Sequence, residues 1–282
     1  KQIRLLEEEL GIQIFIRSGK RVVSVSQPGK AVLEISERIL RDVQNIKNIG
    51  SEFTDHDSGS LTIATTHTQA RYALPKIVAE FVKNYPKVNL TIKQGSPSAI
   101  AQMVSSGEAD LAIITERIDD HPELGKLPCY EWNHAVIVPH DHPLLDCRNP
   151  LSLEDLASFP LVTYEFAFNS GSSIARTFNK AHIEQPDVAL SAADTDVLKT
   201  YVRLGLGVGL MAKMAYDPVV DQDLQLIDAA HLFEPSPTWI ALRTDTYLRG
   251  YAYDFIQMFA PKLTREAVDR ILYTPVVEDF SI

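Results

Sequence analysis

The sequence predicts an α/β protein with two similar lobes, preceded by a small basic head and a long linker helix. From residue 60 onward, short β-branched runs alternate with amphipathic helical runs, which is the pattern of a parallel sheet. The same order recurs in the second half, where PLVTY leads into the hydroxyl-rich FNSGSS before another helix. Two such lobes would leave a cleft between them, with strand ends facing it.

Residues 1–28 are predicted to form part of a winged helix-turn-helix. Ile3 and Leu6 have helical spacing, and two β-rich runs follow at 12–16 and 22–25, on either side of a basic tip. Helix followed by basic hairpin is the winged-helix pattern. Because the chain begins with lysine inside this helix, we expect a preceding segment.

Residues 29–59 are predicted to form a linker helix that mediates dimerisation and ends in a hinge. Apolar residues recur every three or four positions: Val32, Ile35, Ile39, Val43 and Ile46. This stripe indicates a dimer seam, although it would also suit a helix packed on its own domain. The polar run Gly50 to Gly59 suits a hinge. Lobe I is then expected over 60–132 and 240–282, and lobe II over 133–239.

Composition and charge indicate a protein of several compact units in which only one part suits DNA binding. The chain has 282 residues, 45% of them hydrophobic, which allows two or three compact units. Its net charge is −10, but residues 1–50 carry nine Lys or Arg against six Asp or Glu. This asymmetry indicates that only the head approaches DNA.

Cysteine usage and hydropathy indicate the cytoplasm. The two cysteines have no CxxC partner, so neither a disulfide framework nor a thiolate zinc site is expected. No apolar run has the length of a membrane span, and the first ten residues lack the apolar core of a signal peptide. We therefore expect no membrane association.

The run LTIATTHTQ, at residues 61–69, predicts an anion site. It delivers a strand into a helix N-terminus where Thr65, Thr66 and Thr68 add uncharged donors to the free N–H groups. The alternative is that Thr66 or Thr68 caps its own helix. Further neutral donors follow other strands: Thr115, Thr163, Asn169, Ser170, Ser172 and Ser173. Singly these are turn or cap residues, but together in one cleft they would form a neutral cage for an oxyanion.

Other motifs argue against catalysis, nucleotides and metals. The glycines of GLGVG, residues 205–209, close a helix and enter a strand, which is the reverse of a dinucleotide loop. His140, Asp141 and His142 lie in a proline-flanked turn without a third ligand cluster. His67 has no activated nucleophile or acid partner nearby in sequence. Neither an enzyme nor a metal site is expected.

Longer motifs carry a family resemblance. The stretch KQIRLLEEELGIQIFIRSGKRVVSVSQPGKAVL resembles the end of the recognition helix, the wing and the start of the linker helix of LysR-type transcriptional regulators. Between Thr65 and Arg265 the chain is similar to those members that regulate cysteine biosynthesis and sulfur assimilation, in these motifs: TTHTQARYALP, QGSP, PCYEWN, DHPL, FPLVTY, DTDVLKTYVRLGLGVGLMA and YDFIQMFAPKLTR. The likeness spans nearly the whole chain.

The resemblance implies a one-component switch. Its effector domain would have two Rossmann-like lobes, as in type 2 periplasmic binding proteins, and the whole would assemble as a homodimer and homotetramer. The implied partners are promoter DNA and RNA polymerase. No cofactor is implied, and the implied small-molecule effector is sulfate, thiosulfate or acetylserine.

The resemblance also assigns site residues. The implied effector contacts are Thr66, Thr68, Gln69, Thr115, Trp132 and Asn169. Asn169 is a departure, because the family has threonine there. We expect the residues near DNA to be Lys1, Gln2, Arg4, Arg17 and Lys20. Two other functions remain open: a solute-binding protein for sulfate or a related anion, and an enzyme on the same scaffold.

Overall fold

The computed structural model describes residues 1–19, 21–115, 121–147, 150–169, 172–183 and 186–273. They form two compact units: Lys1–His56 with Thr246–Arg249, and Asp57–Asp245 with the chain from Gly250. Within these ranges, no helix combines the length and apolar character needed to cross a bilayer.

The first unit is a helix, a hairpin and a long helix. Its elements are α1 (Gln2–Leu10), β1 (Phe15–Ser18), β2 (Arg21–Val25) and α2 (Gln27–Thr54). The strands β1 and β2 pair antiparallel. Gly11 ends α1 in the left-handed conformation, with φ of 66°. Ser26 begins α2, because its hydroxyl accepts the N–H of Gly29.

A buried carboxylate holds the hairpin to α1. Glu7 accepts the N–H groups of Ile14 and Phe15 at 2.8 and 3.0 Å, and the guanidinium of Arg17 at 2.7 Å. The hydrogen bonds from Phe15 and Arg17 hold the pKa of Glu7 below its ordinary value. The hairpin therefore keeps its place through a charged contact as well as apolar packing.

The predicted hinge at Gly50 to Gly59 is wrong over its first five residues, which are the last turn of α2. Arg249 explains the extension, because its guanidinium donates to the carbonyls of Ser51 and Asp55 and pairs with Glu52 at 2.9 Å. A helix end satisfied in this way does not need to stop at Gly50. The hinge is then short, since the next strand begins at Ser58.

The second unit contains the remaining elements. In chain order they are β3 (Ser58–Thr65), α3 (Pro75–Asn84), β4 (Lys87–Gln94), α4 (Pro97–Ser105), β5 (Leu111–Ile114), β6 (Leu124–Trp132), β7 (His134–Pro139), α5 (Leu153–Ala157), β8 (Leu161–Tyr164), α6 (Ser173–Lys180), β9 (Val188–Ala192), α7 (Thr195–Arg203), β10 (Val208–Ala212), β11 (Leu224–Asp228), β12 (Ser236–Arg243), α8 (Gly250–Phe259) and α9 (Arg265–Tyr273).

These strands form two five-stranded sheets, which confirms the two-lobed α/β prediction. Lobe I has the order β4-β3-β5-β12-β6, and lobe II has the order β11-β7-β10-β8-β9. In each sheet three strands run parallel, β3 with β4 and β5, and β8 with β9 and β10. The chain passes from lobe I to lobe II after β6 and returns at β12. The return falls at Ser236, four residues before the predicted position 240.

Each sheet is covered by helices, so its central strands are apolar on both faces. All four residues of β5 and all five of β10 are buried. In lobe I, Ile100 and Val104 of α4 pack with Ala64, Ala112 and Ile114. These buried central strands fix the sheet edge from which the polar strand ends emerge.

The structure also confirms the interpretation of GLGVG. The glycines follow α7, with Gly205 at φ of 74°, and lead into β10. At Gly207 a Cβ would lie 2.3 Å from the carbonyl oxygen of Pro160. These glycines therefore serve a tight turn and close strand packing.

Two glycines give opposite expected effects on stability. A Cβ at Gly209 would lie 2.4 Å from Cγ1 of Ile137 and 2.8 Å from Cγ2 of Val202, inside the lobe II core. We expect Gly209→Ala to lower the free energy of unfolding by about 1–3 kcal/mol. Gly50 is helical, and a Cβ there would have no described atom within 4 Å. Gly50→Ala should raise helix stability by about 1 kcal/mol. Calorimetric unfolding of both variants checks this, and a stabilised Gly209→Ala would contradict the packing.

Candidate functional site

A cavity of about 410 Å³ lies between lobe I and lobe II of the second unit. Lobe I contributes Thr66, Thr68, Gln69, Thr115 and Trp239, and lobe II contributes Tyr164, Phe166, Ala167, Ser172, Ser173, Ile174, Arg176 and Ala212. The two chain crossings between the lobes contribute Trp132, His134, Glu234, Pro235, Ser236 and Pro237. The cavity therefore has one wall from each lobe and a floor from the crossings.

The chain leaves β3 through a widened helical turn. Helical conformation begins at His67, but the N–H of Leu74 bonds to the carbonyl of Gln69 five residues back, at 3.0 Å. The turn from Gln69 to Ala73 is therefore π-helical, and α3 begins only at Pro75. The strand therefore leads into a helical segment, as predicted, and the π-helical turn within it was not predicted. Such turns are frequent at functional sites, because they alter which side chains share a face.

Five of the six predicted effector contacts line the cavity: Thr66, Thr68, Gln69, Thr115 and Trp132. The first four are 1 to 9% exposed. Thr66, Thr68 and Gln69 follow β3, whereas Thr115 follows β5, and β3 and β5 are neighbouring parallel strands. Parallel pairing thus brings their carboxyl ends together at one edge of the sheet.

Asn169 lies outside this group, because its side chain is exposed and does not line the cavity. It is a turn residue, with its N–H donating to Phe166 and its carbonyl accepting from Ser172. Two other predicted donors have structural partners. Thr163 donates to the carbonyl of Leu210 at 2.8 Å, and Thr65 to that of Ile113 at 3.2 Å. Ser170 lies outside the described residues.

Three buried hydroxyls connect the two lobes. Oγ1 of Thr68 lies 2.9 Å from Oγ1 of Thr195 and 3.3 Å from the hydroxyl of Tyr164, and those two lie 3.1 Å apart. Tyr164 also accepts the N–H of Ala212 at 3.2 Å. We call Thr68, Tyr164 and Thr195 the interlobe hydroxyl cluster. Thr68 therefore faces the cavity and bonds to lobe II, and its side chain makes no capping hydrogen bond to its own helix.

Gln69 is held in one orientation by Tyr130. The hydroxyl of Tyr130 donates to Oε1 of Gln69, and Nε2 lies 3.9 Å from Sδ of Met214. Because the carbonyl end already has a donor, the amide N–H end is the part of the side chain suited to donate to an anion.

Trp132 and His134 form an aromatic floor. Their ring centroids are 4.7 Å apart. Nε1 of Trp132 is buried and has no hydrogen-bond partner among the described residues. A buried N–H without a protein acceptor is what a site completed by a ligand or water would show. Burial lowers the pKa of His134 to about 4, so this ring is neutral near pH 7.

Ser172 and Ser173, two of the predicted neutral donors, also line the cavity. Other lining residues were not predicted. Tyr164 and Phe166 stack with centroids 5.2 Å apart, and the hydroxyl of Ser236 lies 3.4 Å from that of Ser173. Arg176 also lines the cavity, 4.0 Å from the carboxylate of Glu234, and both are partly exposed. The prediction of a wholly uncharged cage is therefore wrong, because an ion pair of opposite charges stands among the neutral donors.

One group among the described residues is close enough to hold a metal ion: His67, Asp194 and Asp196. However, Asp194 accepts two N–H groups at the start of α7, and Asp196 pairs with Arg71 at 2.5 Å. His140 bonds to the carbonyl of Gln222 in a surface loop, as predicted. These carboxylates therefore already have protein partners.

The predicted DNA contacts are only partly available in the first unit. Lys1, Gln2 and Arg4 are exposed on α1. Arg17 is bound to Glu7, with its side chain 22% exposed. Lys20 lies outside the described residues.

The fold and cavity agree with the comparisons to known proteins. Residues 54–264 match the family described as LysR substrate binding domain. The chain therefore belongs to the LysR family of transcriptional regulators, which confirms the resemblance seen in the sequence.

Individual relatives refine this assignment. The chain is 50% identical to the HTH-type transcriptional regulator SsuR of Burkholderia cenocepacia, over 96% of this chain and 88% of that protein. It is 49% identical to CysB of the same organism, over 96% of this chain and 86% of that protein. The crystal structure of the cofactor-binding domain of the Cbl transcriptional regulator is 39% identical, with a TM-score of 0.71, and covers 77% of this chain and 95% of that chain.

We expect loss of the Tyr164 hydroxyl from the interlobe hydroxyl cluster to lower the free energy of unfolding. Tyr164→Phe leaves the buried N–H of Ala212 without its acceptor, so the free energy of unfolding should fall by about 1–3 kcal/mol. Tyr85→Phe is the control, because its exposed hydroxyl bond to Asp254 is replaced by water and should cost under about 1 kcal/mol. Urea unfolding measures both, and equal effects would contradict the burial argument.

His134 predicts a pH dependence of stability. Its folded pKa of about 4 lies below the unfolded value, so the unfolded chain binds a proton that the folded chain does not. Stability should fall by about 1.4 kcal/mol per pH unit as the pH drops from about 6.5 towards about 4. His134→Phe should reduce this slope, because it removes the buried imidazole that the folded chain keeps neutral. An unchanged slope in His134→Phe, measured by urea unfolding at pH 7 and 5.5, would contradict the prediction.

Proposed function

We propose that this chain regulates transcription of sulfur assimilation and cysteine biosynthesis genes, and that it senses a small sulfur-bearing anion or acetylserine in the interlobe cavity. The sulfur assignment rests on identities of 50% and 49% to SsuR and CysB and on the sequence motifs quoted above. Sulfate, thiosulfate and acetylserine are the candidate effectors. The relatives named as transcriptional regulators favour this function over a solute-binding protein or an enzyme.

One observation carries the proposal: uncharged donors from separate segments meet on one cavity. Thr66 and Gln69 follow β3, Thr115 follows β5, and all three are buried at the lining. The indole N–H of Trp132 on the same cavity is buried without a partner among the described residues, and an unpaired polar group in the interior is costly. An oxyanion would accept from several of them at once.

Neutral donors suit a sensor that must release its ligand. A hydrogen bond to a charged group contributes about 1.5–3 kcal/mol. Four or five of them, less the cost of association, give dissociation constants of roughly micromolar to millimolar. Arg176 adds a positive charge, which Glu234 offsets only in part, because Glu234 lies 4.0 Å from Arg176 and also pairs with Lys180 at 3.1 Å.

The size of the cavity supports an organic effector as well as an inorganic one. At about 410 Å³ it falls within the range typical of small-molecule sites. A water molecule takes about 30 Å³ in the liquid, so a five-atom oxyanion would leave most of the space to water. Acetylserine would use more of it, with the aromatic rings of Trp132 and Phe166 against its carbon atoms.

The first unit supplies the proposed DNA-binding and dimerisation functions. Exposed Lys1, Gln2 and Arg4 on α1 would face DNA. The apolar stripe of α2 remains exposed, with Ile35, Ile39, Val43 and Ile46 at 43 to 68%. A second copy covering this stripe would form the proposed homodimer, from which a tetramer follows by family likeness. Cytoplasmic location and contact with RNA polymerase belong to the same proposal.

Ligand closure of the cavity is the proposed signal. A ligand that binds one lobe geometry more tightly shifts the population towards it. The resulting change would alter the spacing of paired DNA-binding heads and therefore the footprint on promoter DNA.

Isothermal calorimetry of the chain with sulfate tests the site. Thr66→Val removes one donor while keeping the shape of the side chain, so the dissociation constant should rise about 10-fold or more. The matched control is Thr91→Val, the same change at an exposed position of β4 away from the cavity. Asn169→Ala should leave affinity unchanged, because that side chain faces solvent.

An unchanged affinity in Thr66→Val would contradict the proposed site. If Thr66→Val binds sulfate as tightly as the unaltered chain, sulfate does not use this cavity. Titration with thiosulfate, O-acetylserine and N-acetylserine in the same series identifies which effector depends most strongly on Thr66.

A further inference from the structure

The segment that lines the cavity also makes polar contacts to lobe II on another face. Between His67 and Tyr72, three side chains that do not line the cavity reach the start of α7. His67 Nε2 lies 3.1 Å from Oδ2 of Asp194, and Arg71 Nε lies 2.5 Å from Oδ2 of Asp196. The hydroxyl of Tyr72 donates to Oδ1 of Asp196 at 2.5 Å.

A buried lysine extends this contact into lobe II. Nζ of Lys199 donates to the hydroxyl of Tyr72 at 3.2 Å and lies 5.1 Å from the centre of its ring. Lys199 also pairs with Asp221 at 2.6 Å, and the two residues are 3% and 1% exposed. Asp221 also accepts from Arg203 at 2.8 Å and from the N–H of Asp217 at 2.9 Å. Tyr72 therefore contacts a lysine that is held in a buried network of lobe II.

We propose that Arg71, Tyr72 and Asp196 are positioning residues of the effector site. They hold the segment carrying Thr66, Thr68 and Gln69 against α7, in the geometry that binds the anion. We call these three residues the positioning clamp. This inference rests on the proposed function, since it assumes that an anion binds in the cavity.

Linkage explains how residues outside the cavity affect affinity. If the clamp forms in the geometry that binds ligand, weakening it raises the population of geometries that bind less well. Apparent affinity then falls in proportion to the fraction of binding-competent molecules, although no ligand contact has changed.

Removing the charge of Asp196 tests this proposal, because the clamp and simple electrostatics predict opposite changes in sulfate affinity. Asp196→Asn removes a negative charge from the neighbourhood of an anion site, and Coulomb interaction alone would make sulfate bind more tightly. The clamp predicts the opposite, because asparagine loses the ion pair with Arg71 and the charge-assisted hydrogen bond from Tyr72. We expect sulfate to bind at least about 5-fold more weakly, the lower end of coupling between linked sites.

Two further variants and a control complete the design. Arg71→Gln and Tyr72→Phe should each weaken sulfate binding in calorimetry, and Tyr72→Phe does so without any change of charge. The control is Lys93→Gln, which breaks the ion pair with Glu108 inside lobe I and removes the same charge as Arg71→Gln. It should stay within about 2-fold of the unaltered chain, because Lys93 and Glu108 both lie in lobe I and their ion pair does not reach lobe II. Since Arg71 and Asp196 act as one pair, replacing both residues should weaken sulfate binding no more than the more damaging of the two single replacements does.

The outcomes separate the two proposals. Circular dichroism confirms that each variant is folded at the titration temperature. If Thr66→Val weakens sulfate binding and Asp196→Asn does not, the clamp is overturned and the effector site stands. If Thr66→Val has no effect, the anion binds elsewhere and both are overturned. Equal losses in Arg71→Gln and Lys93→Gln would also overturn the clamp, since they would reflect charge alone.

Discussion

The requirement that buried polar groups find partners governs how the two lobes meet. Thr68 of lobe I bonds to Thr195 and Tyr164 of lobe II, and Tyr164 in turn accepts the N–H of Ala212. In a water-poor interior each of these groups would be costly alone. The lobes are therefore joined by a small set of directional bonds, which permits only certain arrangements, whereas apolar packing alone would be less selective.

The same requirement gives the cavity its chemistry. Donors at the ends of β3 and β5 that are not used between the lobes face a space of about 410 Å³, and the indole N–H of Trp132 has no acceptor among the described residues. An anion is the ligand that satisfies many donors at once. Glu234 lies 4.0 Å from Arg176 and 3.1 Å from Lys180, so charge at this edge of the cavity is partly balanced and the proposed recognition rests mainly on hydrogen bonds from the neutral donors.

The sequence predicted the parts whose physics is local. The alternation of strands and helices predicted the two lobes, because hydrophobic periodicity can be read along the chain. The sequence also indicated that Thr66 and Thr115 each follow a strand, and the parallel pairing of β3 with β5 brings these two residues together. Strand β6 carries no clear strand pattern in the sequence, because it contains Gly125 and Pro128, which an edge strand tolerates. Arg176, Tyr130 and the partners of Arg249 depend on contacts between distant segments, and no local pattern encodes them. Asn169 was placed by family likeness, and its turn directs it to solvent.

A crystal structure of the chain grown with selenate would test the central claim most directly, because selenium locates the anion by anomalous scattering. The account predicts one selenate in the interlobe cavity, within hydrogen-bond distance of Thr66 and Thr115. An empty cavity with selenate bound only at surface lysines or arginines would contradict it.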